Sequence, residues 1–175
     1  MRSSSECSTD PITVVIADDH AVVREGLVAI FKSQSDIKVV AEATSGEETL
    51  EMCNQHLADV LLLDLRMPRK DGLQVMAELA KRTVSGPRVI VMTTYDNEDD
   101  IRRSLKTGAK GYLVKDIAPQ QIRESVRRVA AGESVLSSNI AAKLAESMAH
   151  PELSKRERQV IAIATKHGLI KDVPG

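Results

Sequence analysis

The sequence predicts an α/β fold, a doubly wound sheet of five parallel strands followed by a C-terminal helical extension. Three observations predict it. Five short runs rich in aliphatic and β-branched residues recur with little polar alternation, as strands buried on both faces require. Stretches whose apolar residues follow helical spacing lie between them. Acidic, hydroxyl or basic residues stand at the carboxyl ends of several of these runs, which is where a parallel sheet gathers its ligands.

The elements follow in order. The first run is ITVVIA at Ile12–Ala17, and the helix after it carries Val23, Leu27, Ile30 and Phe31 on one face. IKVVAEA is the second run. Ser45 and Glu48 predict a capping box for the second helix, where Cys53 falls in register with Leu50 and Leu57 as a core thiol. DVLLLDL is the third run. Gly72 precedes a helix whose apolar face carries Leu73, Met76, Leu79 and Ala80. RVIVMTT is the fourth run, with Asp96 as N-cap of the next helix. GYLVK is the fifth, and Pro119 opens a last helix bearing Ile122, Val126, Val129 and Ala130.

The expected organisation is a polar tail over 1–11, the sheet domain over 12–133, and a connector over 134–152 containing a helix over 138–149. A further helical unit begins at 153 and runs to 175. At 175 residues the chain accommodates one full domain and something small. A hydrophobic content of 42% and a charged content of 28% suit a globular core. The net charge of −1 gives no global pull toward nucleic acid or anionic lipid. Aromatic residues make up 2% with no Trp, which argues against base-stacking platforms. Cys7 and Cys53 form no disulfide framework and no zinc-ligand spacing. The start MRSSSECSTDP lacks an apolar signal region, and no apolar run reaches membrane-span length, so a soluble cytoplasmic protein is expected.

The strand ends carry the chemistry. The first strand ends in Asp18 and Asp19, the third in Asp64, the fourth in Thr93 and Thr94, and the fifth in Lys115. Three converging carboxylates ionise together only beside a cation, and hard oxygen ligands suit Mg2+. With Lys115 and a threonine hydroxyl, the set forms an electrostatic clamp for a phosphoryl group, with Asp64 as the nucleophile that becomes an aspartyl phosphate. Each residue alone has a plainer reading as turn former, β-former or solvated lysine. Their shared position at one sheet edge favours the site.

The segments VVIADDH, DVLLLDLRMPRKDG, VIVMTTYD and GAKGYLVKD resemble the receiver domain of bacterial two-component response regulators, over about residues 12–132. The resemblance implies a flavodoxin-like receiver with strand order 2-1-3-4-5. It implies that Asp64 accepts phosphate from a sensor histidine kinase, and that Asp18, Asp19, Asp64 and the backbone carbonyl of Arg66 hold Mg2+. Thr93, which lies closer to the strand interior than Thr94, takes the part of the switch hydroxyl. Lys115 contacts the phosphate, and Tyr112 is the aromatic whose rotamer follows the switch. Many receivers place proline after the lysine; here it is Asp116, so no cis peptide is implied there. His20 reads as a polar helix-start residue beside the site.

A haloacid-dehalogenase-type phosphatase is the rival reading. It needs an acidic residue two positions after the nucleophile, where this chain has Arg66. The chain is therefore expected to be a switch and not an enzyme. Its readout surface is the face of the fourth helix, fifth strand and fifth helix. Asp99 and Asp100 with Arg102, Arg103 and Lys106, then Arg123, Arg127 and Arg128, suit pairing across a twofold axis in a homodimer.

The closing LSKRERQVIAIATKHGL resembles the first helix of the helix-turn-helix domain in LuxR/NarL (FixJ)-type transcription regulators. Ser154 and Glu157 suit a capping box, with Leu153 as staple, Val160, Ile161 and Ala164 as the apolar face and Gly168 as C-cap. No recognition helix follows, so the domain is expected to be incomplete, with DNA as a partner only if the full domain is present. The alternative is a stand-alone receiver acting through protein contacts or as a phosphate sink.

Overall fold

A computed structural model describes residues 10–82, 86–94 and 98–147. The chain alternates strand and helix: β1 (Ile12–Ala17), α1 (Ala21–Lys32), β2 (Ile37–Ala43), α2 (Gly46–His56), β3 (Val60–Asp64), α3 (Gly72–Ala80), β4 (Arg88–Thr93), α4 (Glu98–Thr107), β5 (Gly111–Val114), α5 (Pro119–Ala130), β6 (Val135–Leu136) and α6 (Ser138–Ser147). The strands form one sheet in the order β2-β1-β3-β4-β5-β6, and every pair is parallel. Alternate residues of the central strands enter opposite cores, because side chains of a strand alternate faces. Val15, Leu61, Leu63 and Val91 join Leu50, Val75, Leu79, Ile101 and Leu105 on the face covered by α2, α3, α4 and α6. Val14, Ile16, Leu62 and Ile90 join Leu27, Phe31, Ile122 and Val126 on the face covered by α1 and α5.

The sheet has six strands, where five were expected. Val135 and Leu136 pair with Gly111 and Tyr112 along the outer edge of β5. Two residues carry too little pattern to announce a strand, and the pairing comes from the free edge of β5. Part of the expected connector thus belongs to the sheet. α6 follows it, and Ile140, Ala141 and Leu144 are at most 1% exposed.

Local chemistry explains the helix ends. In α2, Ser45 accepts from the Glu48 N–H at 3.3 Å, but the Glu48 carboxylate passes Ser45 and takes the Thr44 N–H and hydroxyl, each at 2.7 Å. The expected capping box is therefore half formed. Leu57, expected on the core face with Cys53, instead ends α2 with φ 46° and is 77% exposed. A complete capping box stands at α3: Asp71 accepts from the Gln74 N–H, and Gln74 accepts from the Asp71 N–H. On that helix Val75 is buried and Ala80 exposed. Pro119 opens α5 as expected. The expected Asp96 cap, Cys7, the end of the helix after Ser147 and the whole of 153–175 lie outside the described residues.

Candidate functional site

Parallel register places the site. Ala17 pairs with Leu63, so Asp18 and Asp64 leave the sheet side by side at 1% and 3% exposure. Thr93 ends β4 and is buried, whereas Thr94 is exposed. The Lys115 N–H donates to the Thr93 carbonyl at 2.8 Å, which carries the ladder one residue past β5. The Lys115 side chain then crosses back over the edge. Its Nζ lies 2.5 Å from Asp18 Oδ2 and 2.7 Å from Asp64 Oδ2. One ammonium serves two buried carboxylates.

The remaining carboxylate oxygens meet backbone donors. Asp18 Oδ1 accepts from the His20 N–H at 2.9 Å, and Asp64 Oδ1 from the Arg66 N–H at 3.1 Å. Asp19 is one-third exposed, with its Oδ1 2.8 Å from His20 Nδ1. Ligand atoms of Asp18, Asp19, His20 and Asp64 all lie within 4.8 Å of one another. Burial pushes the Asp64 pKa above the usual carboxylate range, although Lys115 and the Arg66 N–H oppose it. Burial also works against the charge of Lys115, but its hydrogen bonds to Asp18 and Asp64 more than offset this and raise its pKa. Three carboxylates facing one ammonium leave surplus negative charge at an oxygen-rich edge. That donor set could hold a hard divalent cation.

The loop between β3 and α3 wraps tightly around Asp64. A Cβ on Gly72 would stand 2.5 Å from the Asp64 carbonyl oxygen and 2.9 Å from Leu65 Cα, so only glycine allows this approach. Gly46 at the start of α2 packs as closely against the Lys70 carbonyl, at 2.2 Å from a built Cβ. Arg69 turns the loop with φ 65°, a costly conformation for a residue with a side chain. The Arg66 side chain points away to α4, where its Nη2 donates to Asp100 Oδ2 at 2.6 Å.

The structure brings Asp18, Asp19, Asp64, Thr93 and Lys115 to one edge. Tyr112 stands apart from it, fully buried between Val91 and Leu136 in the sheet. Arg24 was not singled out from the sequence. Its Nη1 donates to the Asp18 carbonyl at 2.9 Å and its Nε lies 3.3 Å from Glu42 Oε2, which braces the acidic turn from behind. A basic residue one helical turn past His20 was the available signal; Glu42, on another strand, was not foreseeable. Several charges expected on the readout face are engaged within the chain. Arg127 binds Asp36 at 2.7 Å and Gln34 at 2.8 Å, and Arg128 binds Glu133 at 2.8 Å. No cis peptide occurs among the described residues.

Topology and edge chemistry together define a class of doubly wound domain that presents a buried aspartate, clasped by a lysine, at the end of its central strand. The chain belongs to the response regulator receiver domain family, whose sequence model matches residues 14–127. It is 34% identical over 163 residues to the nitrate/nitrite response regulator protein NarL of Escherichia coli K12, covering 88% of this chain and 75% of that one. It is 33% identical over 170 residues to the response regulator UvrY of the same organism, covering 93% and 78%. Among solved structures it resembles the signal receiver domain of the response regulator NarL from Mycobacterium tuberculosis. The TM-score there is 0.69 and the identity 36%, over 71% of this chain and all of that one. Its relatives make it a two-component response regulator of the LuxR/NarL type. Among the described residues no helix is long and apolar enough to cross a membrane.

Proposed function

We propose that Asp64 receives a phosphoryl group from a sensor histidine kinase in the cytoplasm and that the resulting change in conformation and self-association controls transcription. The observation that carries this reading is the Lys115 ammonium shared by Asp18 and Asp64. An Asp64 carboxylate oxygen attacks phosphorus, the P–N bond to the kinase histidine breaks, and its electron pair stays on that nitrogen, which takes up a proton. Asp18, Asp19, Asp64 and the Arg66 carbonyl would hold Mg2+, which when bound would neutralise carboxylate and phosphoryl charge. Lys115 sits within reach of the incoming phosphoryl oxygens and orients them. Thr93, at the end of the neighbouring strand, offers its hydroxyl to one of them. Arg66 stands where a phosphatase of the rival type would need its acid/base residue, so the acyl phosphate persists as a signal.

Readout passes through α4, β5 and α5. Tyr112 lies in the same core as Ile101 and Leu105 of α4 and Ile140 of α6, so a displaced α4 must repack around it. The homodimer face is then the charged surface of α4, β5 and α5, beside the strap formed by β6 and α6. DNA is a partner where a complete helix-turn-helix domain follows the receiver. Intact mass after treatment with acetyl phosphate and Mg2+ tests the site: one phosphoryl addition is expected on the wild type and none on Asp64→Asn. Equal addition to both would overturn the assignment.

A further inference from the structure

Arg66 enters the reading above only through its backbone, yet its side chain joins the β3–α3 loop to α4. Its N–H donates to Asp64 Oδ1 at 3.1 Å, and its guanidinium donates to Asp100 Oδ2 at 2.6 Å. One residue thus touches the central carboxylate with its backbone and the fourth helix with its side chain. The Arg66 side chain is 62% exposed and that of Asp100 14%. The arginine can swing without leaving a packed core, whereas the aspartate is held in place.

We propose that Arg66 is a phosphoryl-binding residue held in reserve by Asp100. When Asp64 carries a phosphoryl group, the guanidinium exchanges Asp100 for the phosphoryl oxygens, and α4 loses its tie to the site. This rests on Asp64 being the phosphate acceptor. The exchange is downhill on charge and geometry. An ion pair with an exposed arginine is weak and screened by salt. A phosphoryl dianion offers the planar guanidinium two parallel charge-assisted bonds. The 3.1 Å backbone anchor keeps the arginine's Cα close to Asp64, within the length of its own side chain.

The consequence for α4 is a shift and not melting. Asp100 sits in the first turn of α4. Carboxylates there are favoured by the helix dipole whether or not Arg66 stays. The Ser104 hydroxyl remains bonded to the Asp100 carbonyl at 2.7 Å within the helix. A released α4 therefore moves as a body, and it carries Ile101 and Leu105, which are buried in the core that also holds Tyr112.

The test is a 19F NMR titration of the full chain with beryllofluoride, a phosphoryl mimic, in the presence of Mg2+. Asp100→Asn frees Arg66 and should tighten binding by roughly threefold, the scale of an exposed ion pair. Arg66→Gln should weaken binding, and adding Asp100→Asn to Arg66→Gln should change nothing further. That coupling belongs to any pair in contact; the opposite signs of the two single variants are the readout a merely structural tie would not produce, since breaking such a tie from either side acts in one direction. Equal affinity for wild type and Asp100→Asn, or for wild type and Arg66→Gln, would overturn the exchange and leave the Asp64 reading intact. No binding to the wild type, or binding retained by Asp64→Asn, would overturn both.

Discussion

Lys115 Nζ donates to Asp64 Oδ2 at 2.7 Å and lies 2.5 Å from Asp18 Oδ2, so one cation is shared by two buried carboxylates at the ends of two neighbouring strands. Replacing it exposes the repulsion it contains. Lys115→Met should destabilise the fold by about 3–5 kcal/mol, because the remaining charges are buried and uncompensated. Mg2+ should recover part of that loss by binding the same carboxylates. Urea unfolding with and without Mg2+ measures both, and a loss indifferent to Mg2+ would remove the cluster as an ion site. Phosphoryl uptake from acetyl phosphate should fall by roughly tenfold or more.

Asp64→Asn should act in the opposite direction on stability. Burial raises the Asp64 pKa in the folded chain above its unfolded value. Its contribution to stability is therefore present below the unfolded value and is lost as pH rises through the folded one. At neutral pH and without Mg2+, the asparagine variant should be at least as stable as the wild type. Its advantage should shrink on acidification toward the ordinary carboxylate range of about 4. Urea midpoints at the two pH values test the sign, and a variant less stable at neutral pH would contradict it.

Gly72→Ala tests the close approach of the β3–α3 loop. The added methyl would meet the Asp64 carbonyl oxygen at 2.5 Å, and backbone cannot rotate aside as a side chain can. A loss of about 1–3 kcal/mol is expected from overpacking. Phosphoryl uptake should fall with it, since the displaced backbone is that of Asp64 itself. Thermal unfolding and intact-mass kinetics on the same sample decide whether stability and uptake change together.

Leu144→Ala asks whether the strap of β6 and α6 belongs to the receiver. Leu144 is 1% exposed and joins the core of Tyr112, Ile101 and Leu105. Truncating a buried leucine costs about 2–5 kcal/mol, so a clear fall in the urea midpoint is expected. A loose connector would show almost none.

Cys53 should be inert in the native chain. Burial pushes its thiol pKa up to about 11 from 9.0. The proton is therefore held more tightly in the folded state, and the associated stability is complete below pH 9.0 and fades between 9.0 and about 11. In a Cys7→Ser background, Cys53 should react with a thiol reagent only on unfolding. Rapid native labelling at neutral pH would contradict its burial.

The alternation of apolar runs and helical stretches was legible in the chain because strand and helix periods are local properties. So were the residues at the strand ends. Asp18, Asp19, Asp64, Thr93 and Lys115 could be assigned to one edge as soon as the strands were taken as parallel, since carboxyl ends then coincide. Pro119 as a helix start was legible for the same local reason. Leu57 was misplaced because periodicity extends a pattern past the point where the backbone turns left-handed. Glu48 went to Thr44 rather than Ser45 because a carboxylate chooses among donors only once the preceding turn has a shape.

The amino-acid order by itself determined the α/β class, the order of its elements and which side chains stand at the carboxyl edge, because these depend on neighbours a few residues apart. Tertiary structure alone decided which charges meet. Lys115 bridges to Asp64 across 51 residues and Arg66 to Asp100 across 34, while Arg127 turns to Asp36 across 91 and away from the readout face. It also decided that Val135 and Leu136 become a sixth strand, since the open edge of β5 supplies the hydrogen-bonding partners that two residues cannot find alone.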